Sequence, residues 1–80
     1  MNEQQITTIG QKPWVVIPTY NEKVNIGLLI ERLFGTDNNL SILIVDDSSP
    51  DGTATVVKEL QNKYQHLYLL VIHVIFGFKN

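Results

Sequence analysis

The sequence predicts an α/β unit, a β-α-β-α-β half of a doubly wound domain with parallel strands. Three observations predict it. Trp14-Val15-Val16-Ile17 and Ile42-Leu43-Ile44-Val45 are continuous β-prone apolar runs, the pattern of strands covered on both faces. Between them, Ile26, Leu29, Ile30 and Leu33 recur at i, i+3, i+4 and i+7, one stripe of an amphipathic helix. A third run, Leu67-Tyr68-Leu69-Leu70, follows a second helical segment.

The elements are punctuated in order. Pro18 ends the first strand, and the polar break from Gly35 to Asn39 reads as the turn after the first helix. Asp46-Asp47 stops the second strand. Ser49-Pro50-Asp51 then reads as a helix start, with serine as cap, proline at the first helical position and an aspartate complementing the dipole. Val56, Val57, Leu60 and Tyr64 supply the buried stripe of that helix. With right-handed crossovers, the loops leaving the first two strands lie side by side at the carboxyl edge, where open α/β sheets bind ligands. Those loops are Pro18-Thr19-Tyr20-Asn21-Glu22 and Asp46-Asp47-Ser48-Ser49.

Bulk properties bound the function. Eighty residues make at most one small domain, and a chain of that size buries only about 60–65% of its unfolded surface. Hydrophobic content of 44% with 18% charged residues is globular. A net charge of -2 without a basic block offers nothing to recruit nucleic acid or anionic lipid. The absence of cysteine excludes a disulfide scaffold and thiolate metal sites, and suits a reducing compartment. Met1 to Lys12 is polar and lacks the apolar core of a signal peptide. The apolar stretch from Leu67 to Phe78, interrupted by His73, falls short of the ~20 residues of a spanning helix.

The converging residues suit a nucleoside. An ionised Asp47 only accepts hydrogen bonds, so it matches the ring N–H of guanine or uracil. Tyr20 offers an aromatic face and a hydroxyl. Glu22 can accept from an amino or ribose group, and Pro18 stiffens the loop exit, lowering the ordering cost of binding. Each residue also has a plainer reading: an acidic pair as a solvated turn, Tyr20 as half-buried packing, Asn21 as a turn residue bonded to its own backbone. The combination and its placement favour the ligand reading. His66 and His73 lie among apolar residues without a carboxylate near in sequence and read as non-catalytic.

Two other motifs fit less well. Asp47-x-Ser49-x-Asp51-Gly52 imitates a calcium-binding EF-hand loop, but its twelfth position is Lys58 rather than glutamate, and a strand replaces the incoming helix. The strand ending in Asp46-Asp47 imitates the start of a response-regulator receiver domain. A whole strand-helix unit precedes it here, and no aspartate follows Asp51 to accept a phosphoryl group.

Taken together, Val15-Val16-Ile17-Pro18-Thr19-Tyr20-Asn21-Glu22 and Ile44-Val45-Asp46-Asp47-Ser48-Ser49-Pro50-Asp51-Gly52-Thr53 resemble the family-2 glycosyltransferases. The Ser-Pro-Asp-Gly-Thr ending is similar to the dolichol- or polyprenol-phosphate mannosyltransferase branch. The resemblance covers about residues 14 to 70 and implies a partial GT-A (Rossmann-like) fold. It implies GDP-mannose as donor, a dolichol or polyprenol phosphate acceptor, and transfer with inversion at the anomeric carbon. The residues matching the family's nucleoside cradle are Pro18, Tyr20, Glu22, Val45 and Asp47. The family's acceptor is a phosphate oxygen, already nucleophilic, so no general base is implied, and the catalytic residues stay unassigned. Mg²⁺ or Mn²⁺ is expected for the complete enzyme, acting on the departing diphosphate, as is work at the cytoplasmic face of a membrane.

The departures shape the rest of the reading. The family's Asp-x-Asp metal pair is absent from this sequence. From about Val71 the chain leaves the family pattern, as a truncated or frameshifted reading frame would. The expected organisation is a polar segment 1–12, a nucleotide-binding part 13–70 and a divergent apolar tail 71–80. Such a piece is expected to bind nucleotide weakly and to transfer no sugar. A family-2 enzyme using a UDP-sugar and a non-catalytic remnant are the alternatives. The tail is β-prone, weakly charged and free of proline, an aggregation liability.

Overall fold

The computed structural model describes residues 13–73. The order is β1 (Trp14–Thr19), α1 (Lys23–Thr36), β2 (Ser41–Asp46), α2 (Thr53–Leu60) and β3 (Leu67–Val71). The strands form one parallel sheet in the order β1-β2-β3. The expected parallel β-α-β-α-β unit is therefore present. The polar segment 1–12 and residues 74–80 of the tail lie outside the described residues.

A sheet whose neighbours follow chain order, joined by right-handed crossovers, receives each helix on the same face. The burial pattern agrees. Ile42, Ile44 and Asp46 alternate along β2 and are all fully buried, and with Ile26, Ile30, Phe34, Val57 and Leu67 the two isoleucines form one apolar core. The opposite face carries Trp14, Val16, Tyr68 and Leu70, which are exposed. Trp14 and Tyr68 shield each other there, with ring centroids 5.2 Å apart. The expectation that continuous apolar runs mean cover on both faces is thus corrected: within the described residues one face is covered.

Two local expectations also change. The buried stripe of α1 is Ile26, Ile30 and Phe34, with Leu33 packed partly against the core, whereas Leu29 is exposed. Leu29 instead lines a cleft with Ile17 and Thr19 at β1, an edge strand among the described residues. The second helix starts at Thr53 rather than at Pro50, with Gly52 as its N-cap at φ 95°. Only glycine adopts that left-handed conformation without strain, so the Ser49-Pro50-Asp51 segment becomes a turn from which Ser49 and Asp51 reach back to the start of α1. Further along, Tyr64 stacks on Phe34 at 4.6 Å and closes the core beneath both helix ends.

Among the described residues both β1 and β3 are sheet edges, with backbone groups that could pair with another strand. Ile72 is 36% exposed immediately beyond β3; Ile75 is outside the described residues. Replacing both by lysine is expected to leave more of the chain in the supernatant after centrifugation. Equal sedimentation of native and variant chains would mean that this stretch is covered in solution.

Candidate functional site

The carboxyl edge is built from the ends of β1 and β2. Register pairs Pro18 with Val45 and Thr19 with Asp46. Alternation then separates the acidic pair. Asp46 turns inward and is fully buried, while Val45 and Asp47 lie on the other side, at intermediate exposure. Beside them Pro18, Tyr20 and Glu22 are exposed. All five residues expected at a nucleoside site therefore sit within two adjoining segments at one edge. The Asp47 N–H donates to the Thr19 carbonyl at 3.1 Å, continuing the sheet into the loop.

Asp46 is a structural carboxylate. Its Oδ1 accepts from the Thr19 hydroxyl at 2.7 Å and the Ser49 hydroxyl at 2.6 Å, and its Oδ2 accepts from the Ser49 N–H at 2.9 Å. Burial pushes this carboxyl up, but the hydrogen bonds from Ser49 and Thr19 outweigh it and hold it below its ordinary value. Its folded pKa thus lies under the unfolded one. Its contribution to stability is complete above the unfolded value and is lost as pH falls through the folded one. Stability should begin to drop as pH falls below about 5 and continue to fall through the ordinary carboxylate range and below it. Asp46→Asn is expected to flatten that drop and to cost about 1–3 kcal/mol at neutral pH, because an amide N–H₂ then faces a donor. Urea midpoints across that pH range check both effects; an unchanged acid limb would assign the drop to other carboxylates.

The second loop reaches back to the first. The Asn21 N–H donates to Ser49 Oγ at 2.8 Å, the Glu22 N–H to Thr53 Oγ1 at 3.0 Å, and the Lys23 N–H to Asp51 Oδ2 at 3.0 Å. Asp51 Oδ1 also accepts from the Thr53 N–H at 2.9 Å and from the Thr53 hydroxyl. The Thr53 hydroxyl bond, with help from the Lys23 and Thr53 N–H groups and the Lys23 charge, holds Asp51 below the usual carboxylate range against the opposing effect of burial. Asn21 and Ser48 both take left-handed backbone, at φ 56° and 48°. Such strain persists only where surrounding contacts over-determine it. Ser48 Oγ donates to the Ile72 carbonyl at 2.7 Å, tying the loop to the end of β3.

Thr19, Asp46 and the Ser49-Asp51-Thr53 set escaped the sequence reading as site-building residues. A signal existed for Asp46: it continues the alternation of Ile42 and Ile44, which marks it as inward. None existed for the cross-loop bonds, which depend on two segments meeting in space.

A cleft of about 200 Å³ opens between the end of β1 and α1, lined by Ile17, Pro18, Thr19, Glu22, Asn25, Ile26 and Leu29. A cleft of about 280 Å³ at the opposite edge is lined by Glu31, Phe34, Asn38, Lys63 and Tyr64, among others, and holds no residue of either motif. Among the described residues no three histidines or carboxylates converge on a metal position. Asp46 and Asp51 spend both oxygens on protein donors. Neither carboxylate is therefore offered to a divalent ion.

The family model for glycosyl transferase family 2 matches residues 14–77. The chain belongs to that family. Among curated family relatives, the polyprenol monophosphomannose synthase of Mycolicibacterium smegmatis is 46% identical over 50 residues, covering 62% of this chain and 19% of the relative. The dolichol-phosphate mannosyltransferase of Pyrococcus furiosus is 46% identical over 55 residues, covering 62% and 15%. A third relative is the Methanococcus voltae dolichyl N-acetyl-alpha-D-glucosaminyl phosphate 3-beta-D-2,3-diacetamido-2,3-dideoxy-beta-D-glucuronosyltransferase, 43% identical over 53 residues, covering 62% and 16%. The mannosyltransferase PcManGT from Pyrobaculum calidifontis, solved with GDP-Man and Mn²⁺, superposes with a TM-score of 0.64 at 28% identity, over 78% of this chain and 19% of that one. This glycosyl transferase family 2 chain thus spans about a fifth or less of the relatives it matches. Its parallel unit is the front part of a GT-A fold.

Proposed function

We propose that this chain is the donor-nucleotide-binding front of a family 2 glycosyltransferase that moves mannose from GDP-mannose to a polyprenol or dolichol phosphate. The observation that carries the proposal is the meeting of the two motif loops at the carboxyl edge. There Pro18 and Val45 are register partners and Asp47 follows on the same side. In this reading Asp47 accepts from the base, Tyr20 and Glu22 contact base or ribose, and Pro18 and Val45 form the apolar floor. The solved neighbour holding GDP-Man supports a guanine nucleotide. The names of two relatives support a lipid-phosphate acceptor, which would put the complete enzyme at a membrane surface, on its cytoplasmic face. Residues 13–70 are the nucleotide-binding part; the metal and the acceptor need residues beyond those described.

A second reading keeps the site and changes the sugar nucleotide to a UDP-sugar. It is kept because an ionised Asp47 can accept from the ring N–H of uracil as readily as from that of guanine, and because one relative is named for transfer of a sugar other than mannose. One titration separates them. The ¹⁵N-labelled 80-residue chain is titrated with GDP and, in parallel, UDP, following its amide resonances. GDP is expected to shift amides at 19–22 and 45–47 at millimolar concentrations. Guanosine should shift the same amides, since the contacts in this reading are made to base and ribose. Preference for UDP would select the second reading. A folded chain that shifts with neither would end the nucleotide proposal.

A further inference from the structure

The turn that follows β2 contributes three side chains that do not face the proposed base at all. Ser49, Thr53 and Asp51 receive, in that order, the consecutive backbone N–H groups of Asn21, Glu22 and Lys23. A helix start ordinarily caps itself with the side chain just before it. Here Glu22 is the N-cap of α1 and makes no such bond. The first N–H of α1 is met instead by Asp51, 28 residues away, while Ser49 and Thr53 hold the two residues before the helix.

We propose that Ser49, Asp51 and Thr53 are positioning residues of the nucleotide site, which fix the backbone of the first loop and so set where Tyr20 and Glu22 meet the base. This rests on the nucleotide reading above. Thr53 is the pivot. It is fully buried, accepts from Glu22 and donates to Asp51, so its hydroxyl is used in both directions. Gly52 makes the arrangement possible, because its left-handed φ lets Asp51 and Thr53 both face α1. Asn21 completes it, held in left-handed backbone directly after Tyr20. Without the clamp, that residue would relax to an ordinary conformation and carry the tyrosine with it.

The geometry also excludes a different use of these groups. The free N–H groups at a helix start commonly bind phosphate. In this chain the Asp51 carboxylate already takes the first N–H of α1 and the first of α2, from Lys23 and Thr53. A diphosphate brought to either position would meet a resident anion. The turn therefore orders the loop instead of cradling phosphate.

The test compares Thr53→Val, which keeps the shape and removes the hydroxyl, with Thr53→Ser, which restores it. Each full 80-residue chain is examined for hydrogen exchange at amides 21–23, for GDP affinity by amide shifts, and for its urea midpoint. Thr53→Val is expected to speed exchange at Glu22 and to weaken GDP binding about tenfold. Thr53→Ser should recover most of that affinity even where its urea midpoint stays below the native one. Should Thr53→Val fail to fold, Asp51→Asn replaces it at a less buried position, with faster exchange at Lys23 and weaker GDP binding expected. Native-like GDP affinity in a folded Thr53→Val or Asp51→Asn chain would overturn the positioning role and leave the nucleotide site standing. A native chain with protected amides 21–23 but no GDP shifts would overturn the nucleotide reading itself, and the positioning role with it.

Discussion

Replacing Asp47 by alanine is expected to take GDP binding out of reach of a millimolar titration while the chain stays folded. A hydrogen bond to a charged acceptor is worth about 1.5–3 kcal/mol, which is roughly a 10- to 100-fold loss in affinity. The contrast with its neighbour sharpens the expectation. Asp46 is fully buried and bonded to Thr19 and Ser49, so Asp46→Ala should lower the urea midpoint sharply. Asp47 stands on the outer side of the same strand end, and its loss should lower binding far more than stability. Paired titrations and urea curves of the two variants read this directly. Unchanged GDP affinity in Asp47→Ala would move the base away from this edge.

The largest effect on stability is expected from Ile44→Ala. Ile44 is fully buried in the central strand, between register partners Ile17 and Leu69. Truncating such a residue costs about 2–5 kcal/mol. The total available to a chain of this length is about 4–12 kcal/mol, so the variant should be largely unfolded in mild denaturant. Its sequence neighbour Leu43 points to the other face, at intermediate exposure. Leu43→Ala should cost well under half as much. Equal costs at the two positions would mean that the outer face is covered in solution, by self-association or by residues outside 13–73.

How much of this was legible beforehand depends on the range of the interaction. Strand and helix identities follow from local apolar period, and so did the side-by-side loops, because parallel crossovers leave few topologies. The five nucleoside-site candidates could be named because they cluster in two short segments. What local reading missed was direction. The runs Trp14 to Ile17 and Ile42 to Val45 look alike whether one face or two are covered. The helix start at Ser49-Pro50 looked sound by composition, yet Gly52 moved it to Thr53 and freed Asp51 to serve two helices at once. That choice is made by a partner about thirty residues earlier in the chain, which no window of neighbouring residues contains.

That separation also orders the folding of the chain. Each side-chain hydrogen bond between the two loops closes a span of 27 to 31 residues. Closing such spans costs chain entropy before any of these bonds can repay it. A single β-α unit holds only one of the two loops, so no early hairpin-like intermediate can carry the site. The loops reach their geometry only when the crossover from β1 through α1 to β2 has docked, and the Ser48 bond to the Ile72 carbonyl waits for β3 as well, so ligand competence arises with the assembled sheet. A nucleotide captured at this edge would accordingly slow unfolding of the entire unit instead of stiffening a local flap.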